Sequence, residues 1–153
     1  MELVAAQDAA TFAIGRALIE EYAASLGVDL CFQGLATELE QLERLYAAPT
    51  GALWLAREAD QWSGCGALRR FEGEVCEMKR LYVRPAARGR GVGRRLAEAL
   101  LESARRLGYT HMRLDTLEGM AAARRVYRRL GFRAIAPYYE NPLPGVVYME
   151  CVL

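Results

Sequence analysis

The strongest constraint on this chain lies at Arg88-Gly89-Arg90-Gly91-Val92-Gly93, where three alternate glycines divide two runs of different periodicity. Before them, Val75 to Val83 reads as a strand that turns at Arg84-Pro85. After them, Val92, Leu96, Ala99, Leu100 and Leu107 recur at helical spacing. Glycine has no Cβ, so backbone there can approach a ligand closely. The first amides of the helix have no partner inside it and donate outward in a slightly positive field. Phosphate binds in such places. Seven basic residues and no acidic one lie between Lys79 and Arg95, although the formal net charge of the chain is only +1. The positive charge is local and suits a small polyanion.

The rest of the chain is predicted to hold this unit. A strand from Glu2 to Ala6 precedes Asp8, placed to cap a helix carrying Ile14, Leu18, Tyr22 and Leu26 and stopped at Gly27. A second helix presents Leu35, Leu39, Leu42 and Tyr46 on one face and leaves Glu38, Glu40, Glu43 and Arg44 in water. Ala52 to Glu58 and Trp62 to Phe71 lead as strands into Val75–Val83, forming an antiparallel meander. Gly108 ends the central helix, and His111 to Thr116 is a further strand. A helix with Met120, Ala123, Val126, Tyr127 and Leu130 on one face follows, then strands at Phe132 to Tyr138 and Val146 to Leu153. At 153 residues the chain, 1–153, is expected to form a single domain, with strand, turn, helix and strand at 75–116 supplying a crossover.

Composition excludes several classes. The 53% hydrophobic and 25% charged content is that of a soluble globular protein. Met1-Glu2-Leu3-Val4 shows no secretory signal, and no apolar stretch approaches the roughly 18 residues of a membrane span, so a cytoplasmic protein with no membrane partner is expected. Cys31, Cys65, Cys76 and Cys151 form no CxxC pair and His111 is the only histidine, so no metal site is expected. The cysteines read as buried thiols, with Cys65 and Cys76 the one pair on neighbouring strands. A dinucleotide fold would need a glycine where Arg94 stands. A nucleic-acid binder would need more aromatic interleaving than Tyr82 provides.

Arg88-Gly89-Arg90-Gly91-Val92-Gly93 resembles the R/Q-x-x-G-x-G/A signature of the GNAT superfamily of acetyl-CoA-dependent N-acetyltransferases, and Tyr127-Arg128-Arg129-Leu130-Gly131-Phe132 resembles its second signature. The resemblance covers nearly the whole chain and is weakest over the first 50 residues. It implies an α/β fold: a mixed, mostly antiparallel sheet of about seven strands with helices on both faces. It implies acetyl-CoA as co-substrate, its pyrophosphate on the backbone of Arg88, Gly89, Arg90, Gly91, Val92, Gly93 and Arg94. The pantetheine arm would pair along Leu81, Tyr82 and Val83, with oxyanion donors around Leu81.

The resemblance also places a general base at Glu77, with an ion-pair partner of Lys79 or Arg80 as the alternative, and a proton donor to the departing thiolate at Tyr127. Family members often carry asparagine where Met120 stands here. His111 reads as structural or exposed; Asp115 and Thr116 finish a strand beside the presumed cleft, where they either orient substrate or cap a helix start. Residues 28–34 and the Tyr138 to Gly145 connection are expected to flank the acceptor, with Tyr138, Tyr139 and Glu140 suited to a cationic amine. The implied reaction is acetyl transfer to a primary amine of a small molecule, with no nucleic-acid partner. A catalytically silent acyl-CoA sensor or scaffold, a protein or peptide N-acetyltransferase, and a homodimer all stay open.

Overall fold

Asp8 separates the first two elements, strand β1 (Glu2–Ala5) and helix α1 (Ala9–Ser25). Its carboxylate accepts from the Thr11 amide, and Thr11 Oγ1 accepts in turn from the Asp8 amide, a reciprocal cap that satisfies donors the helix leaves unpaired. The computed structural model describes residues 1–27 and 34–153. The chain continues through α2 (Leu35–Glu40), α3 (Leu42–Tyr46), β2 (Ala52–Glu58), β3 (Gln61–Glu72) and β4 (Val75–Val83). A 3-10 turn at Pro85–Ala87 leads to α4 (Val92–Arg106), β5 (His111–Leu117), α5 (Ala121–Arg129), β6 (Arg133–Ile135) and β7 (Val146–Val152).

The strands form one sheet in the order β1-β2-β3-β4-β5-β7-β6. Only β4 and β5 run parallel, as the α4 crossover requires. Helices α4 and α5 cover one face over a core that includes Leu68, Met78, Leu100, Met112 and Leu114. On the other face α1 and α3 pack over Leu55, Cys65, Ala67 and Tyr82, contributing Phe12, Leu18, Ile19 and Tyr46. The expected mixed, mostly antiparallel sheet with helices on both faces is therefore present. No helix among the described residues is long and apolar enough to cross a membrane.

Three local expectations are corrected. The helix expected over 35–46 is two short ones that break at Gln41 (φ −112°, ψ 26°). Glu38 is not in water: it is 2% exposed and meets the Arg80 guanidinium in a two-pronged ion pair, Nε to Oε2 at 2.8 Å and Nη2 to Oε1 at 3.0 Å. The strand expected over 132–138 is reduced to Arg133–Ile135, because Tyr138 and Tyr139 leave the ladder to bring their hydroxyls to the carboxylates of Glu77 and Asp115. Cys65 and Cys76 are free thiols. They stand opposite Tyr82 and Arg70 respectively, well apart on the β3–β4 ladder, and burial pushes each thiol up to about 12.

Candidate active site

Strands β4 and β5 pair only at Val75, Cys76 and Glu77 against His111, Met112 and Arg113, and then diverge. The separation coincides with a bulge in β4. Cys65 stands opposite Tyr82 but Ala67 opposite Lys79, so Arg80 and Leu81 together face Gly66. Arg80 takes φ +59°, a left-handed conformation that costs about 1–2 kcal/mol in a residue with a side chain. The ion pair with Glu38 holds the residue there. A bulge bends its strand and re-aims the side chains around it. Beyond it, the β4 edge that would have met β5 faces a cavity of about 550 Å³, within the range of ligand sites.

Leu81, Tyr82 and Val83 line this cavity. The end of the strand is anchored to α1: Tyr82 Oη and Arg84 Nε both donate to Glu21 Oε2, at 2.7 and 3.0 Å, and Arg84 Nη1 donates to the Trp62 carbonyl. These contacts hold the Glu21 carboxyl below its ordinary range, Arg84 contributing most. The strand therefore presents its main chain at a fixed edge, the arrangement that pairs with an extended ligand.

The start of α4 closes one end of the cavity. Gly91 is the capping residue at φ +79°, Gly89 has φ +80°, and the first helical bond runs from Arg95 N to Gly91 O. The amides of Val92, Gly93 and Arg94 are thus left pointing out of a 15-residue helix. Arg88, Gly89, Gly91, Val92, Gly93 and Arg94 line the cavity; Arg90 does not. Its guanidinium pairs with Glu58 at 2.8 Å and donates to the Ala86 carbonyl, while Arg88 Nε donates to the Val83 carbonyl and Arg94 Nε to Glu98. These side chains brace the loop and its amides face the space.

A Cβ on Gly91 would meet nothing within 4 Å, so Gly91→Glu acts through its left-handed φ and the charge it carries into the anion approach. The substitution is expected to raise the dissociation constant for a phosphate-bearing ligand at least about tenfold, a loss of at least about 1.4 kcal/mol, by calorimetric titration. Retained affinity removes the loop from the site.

Tyr127 enters from α5. Phe132 N donates to Tyr127 O at 3.0 Å and Gly131 N to Arg128 O at 3.1 Å, with Gly131 at φ +100°. This is a Schellman cap, and its usual apolar contact is the Phe132 ring edge-on to the Tyr127 ring, centroids 5.7 Å apart. The six-residue motif 127–132 is thus a helix stop that fixes one tyrosine. Tyr127 lines the cavity and is 7% exposed, and among the described residues nothing bonds to its hydroxyl. Burial, with smaller contributions from Tyr22 and Asp115, pushes its phenol well above the ordinary value, so it carries its proton at neutral pH. Met120 stands at the N-cap of α5 and lines the cavity, accepting weakly from Thr116 Oγ1.

The remaining wall is polar. Lys79 and Arg80 line it from β4 and Asp115 from β5. Glu77 is 2% exposed and does not line the cavity; its Oε2 accepts from Tyr138 Oη at 2.7 Å, and its Oε1 lies 3.6 Å from both Lys79 Nζ and Arg69 Nη2. Asp115 Oδ2 accepts from Tyr139 Oη at 2.5 Å and Asn141 Nδ2 at 3.1 Å, so Asp115 does not cap a helix. Asn141 and Leu143 reach the cavity, whereas Tyr138, Tyr139 and the exposed Glu140 do not. His111 is half-buried beside Thr110 Oγ1. Tyr22 of α1 and Leu26, which caps the end of that helix, also line the cavity, and the acceptor loop expected over 28–34 lies, save for Gly34, outside the described residues. No cluster suited to a metal ion occurs among the described residues.

Comparison with known proteins gives the family. A family model described as Acetyltransferase (GNAT) family matches residues 16–132. The chain belongs to that family of acetyltransferases. It is 43% identical over 135 residues to an uncharacterised N-acetyltransferase of Schizosaccharomyces pombe, covering 87% of this chain and 83% of the relative. Its fold is that of an acetyltransferase from Streptococcus agalactiae, at TM-score 0.79 and 24% identity over 99% of this chain and 98% of the other. A GNAT acetyltransferase from Elizabethkingia anophelis, solved with acetyl-CoA bound, aligns at TM-score 0.59 and 20% identity over 74% of this chain and 82% of its own.

Proposed function

We propose that the chain, acting as one domain over 1–153, transfers acetyl from acetyl-CoA to the primary amine of a small molecule. The observation that carries this reading is the meeting, in one cavity, of the unpaired β4 edge, the outward amides of α4 and the hydroxyl-bearing Tyr127. The bound acetyl-CoA of the Elizabethkingia fold neighbour supports the co-substrate. Pyrophosphate sits on the amides between Gly89 and Arg94, pantetheine pairs along Leu81 to Val83, and the Leu81 amide donates to the oxyanion.

The acceptor ammonium gives one proton to a carboxylate, and the free amine nitrogen then bonds to the thioester carbon. As the C–S bond breaks, Tyr127 protonates the thiolate. The phenolate recovers a proton from the acylated nitrogen, leaving an amide, free CoA and one proton for solvent. Glu77, walled off from the cavity and held by Tyr138, Lys79 and Arg69, serves as the ion-pair partner that positions Lys79. Asp115 is the carboxylate that faces the acceptor and takes its proton.

Thiol release with a panel of amines tests the assignment. Asp115→Asn is expected to lower kcat by about 100-fold, the low end for general base catalysis, and Glu77→Gln by under about tenfold. The reverse order returns the base to Glu77.

A further inference from the structure

The cavity has a positive end and a negative end, each with polar capacity that its protein partners leave unused. Lys79 is nearly fully enclosed, its side chain 6% exposed, yet it lines the cavity. An ammonium has three N–H donors. Among the described residues no acceptor lies within hydrogen-bonding distance of Nζ; its nearest charge is Glu77 Oε1 at 3.6 Å, which Arg69 shares at the same distance. Glu77 is further occupied by Tyr138 Oη. The group Arg69, Lys79 and Glu77 therefore carries one positive charge in excess, while Arg80 and Glu38 neutralise each other. Burial lowers the Lys79 pKa, Glu77 offsetting only part of that, so the enclosed ammonium gains from any anion brought to it.

Across the same cavity Asp115 takes both its protein donors, Tyr139 and Asn141, on Oδ2, leaving Oδ1 without a donor among the described residues. No ion pair links Lys79 to Asp115. A cation and an anion that face one space without touching are complementary to a ligand bearing both charges. Buried charge sites discriminate strongly against a ligand that leaves them unpaired.

Resting on the acetyl-transfer reading above, we propose that the acceptor is an amino acid, with its ammonium on Asp115 and its carboxylate on Lys79, and that the product is an N-acetyl amino acid. The ammonium proton passes to Asp115, the nitrogen takes the acetyl group as CoA leaves, and the carboxylate stays on Lys79 throughout.

The test is thiol release from acetyl-CoA with matched acceptors: a mixture of free amino acids, the same amino acids as primary carboxamides, and the corresponding decarboxylated amines. The wild-type protein is expected to use the free acids with kcat/KM at least tenfold above the carboxamides and amines. In Lys79→Met that ratio falls to within about twofold, mostly through KM for the acid, and Lys79→Arg restores part of it. Equal use of carboxamides and acids by the wild type overturns the amino-acid assignment while leaving acetyl transfer intact. A preference that survives in Lys79→Met assigns the carboxylate elsewhere and overturns the role of Lys79. Absence of thiol release with every acceptor, despite acetyl-CoA binding, refutes the acetyl-transfer reading itself and the amino-acid assignment with it.

Discussion

Tyr127→Phe is expected to lower kcat by about 10³-fold, within the range for a positioned proton donor, while the dissociation constant for acetyl-CoA changes less than about threefold. The change removes one oxygen and keeps the ring. The edge-on contact with Phe132 and the Schellman cap that orients the helix end do not involve the hydroxyl, so the fold and the cavity wall persist. What is lost is the proton. Burial raises the phenol, so Tyr127 keeps its proton until a thiolate develops beside it. Rapid-quench kinetics beside calorimetric binding separates the two quantities. Equal losses in turnover and affinity assign Tyr127 to packing.

Glu38→Ala is expected to destabilise the protein by about 3–5 kcal/mol, because it leaves the Arg80 guanidinium buried without its carboxylate partner. At about 2–4 °C per kcal/mol for a chain of this length, the melting temperature falls by roughly 10 °C. The loss also touches function, since the same pair holds Arg80 at φ +59° in the bulge that opens the cavity. Its pH dependence has a definite sign. Burial raises the Glu38 carboxyl and the Arg80 hydrogen bonds outweigh it, so the folded value lies below the ordinary 4.5. The stabilisation is therefore complete above about pH 4.5 and is lost as pH falls through the folded value. Melting curves between pH 7 and pH 3 should show the wild type converging on Glu38→Gln at the acid end. A constant gap between them places the effect in packing.

What the sequence made legible was local. Strand, glycine turn and helix at 75–106 follow from periodicity and from glycines that the structure finds at positive φ. The run 127–132 is readable because a Schellman cap is a short-range device with its own residue types. What escaped depended on tertiary approach. Glu38 sits three residues after Leu35 and one before Leu39, on the apolar stripe of its helix; that spacing was the available signal, but its partner lies 42 residues away. The bulge at Arg80 has no local marker, since a left-handed arginine is stabilised from α2 and not by its neighbours. Without the bulge, strand alternation gives no means of telling that Lys79 lines the cavity while Glu77, two residues before it, does not; Asp115 was legible as the end of a strand beside the cleft. The tyrosines at 138 and 139 read as a mouth for a cationic amine, yet they turn inward to donate to Glu77 and Asp115.

The central claim is that the gap between β4 and β5 is an acyl-CoA site served by the α4 amides. Thermal unfolding with acetyl-CoA, free CoA, NADH or no ligand, each near ~1 mM, tests it most directly. A ligand at about 100 times its dissociation constant stabilises by about 2.7 kcal/mol, a rise of roughly 5–10 °C for a protein of this size. That rise is expected with both CoA species and not with NADH, and it is expected to be lost in Gly91→Glu. No rise with either CoA species contradicts the claim.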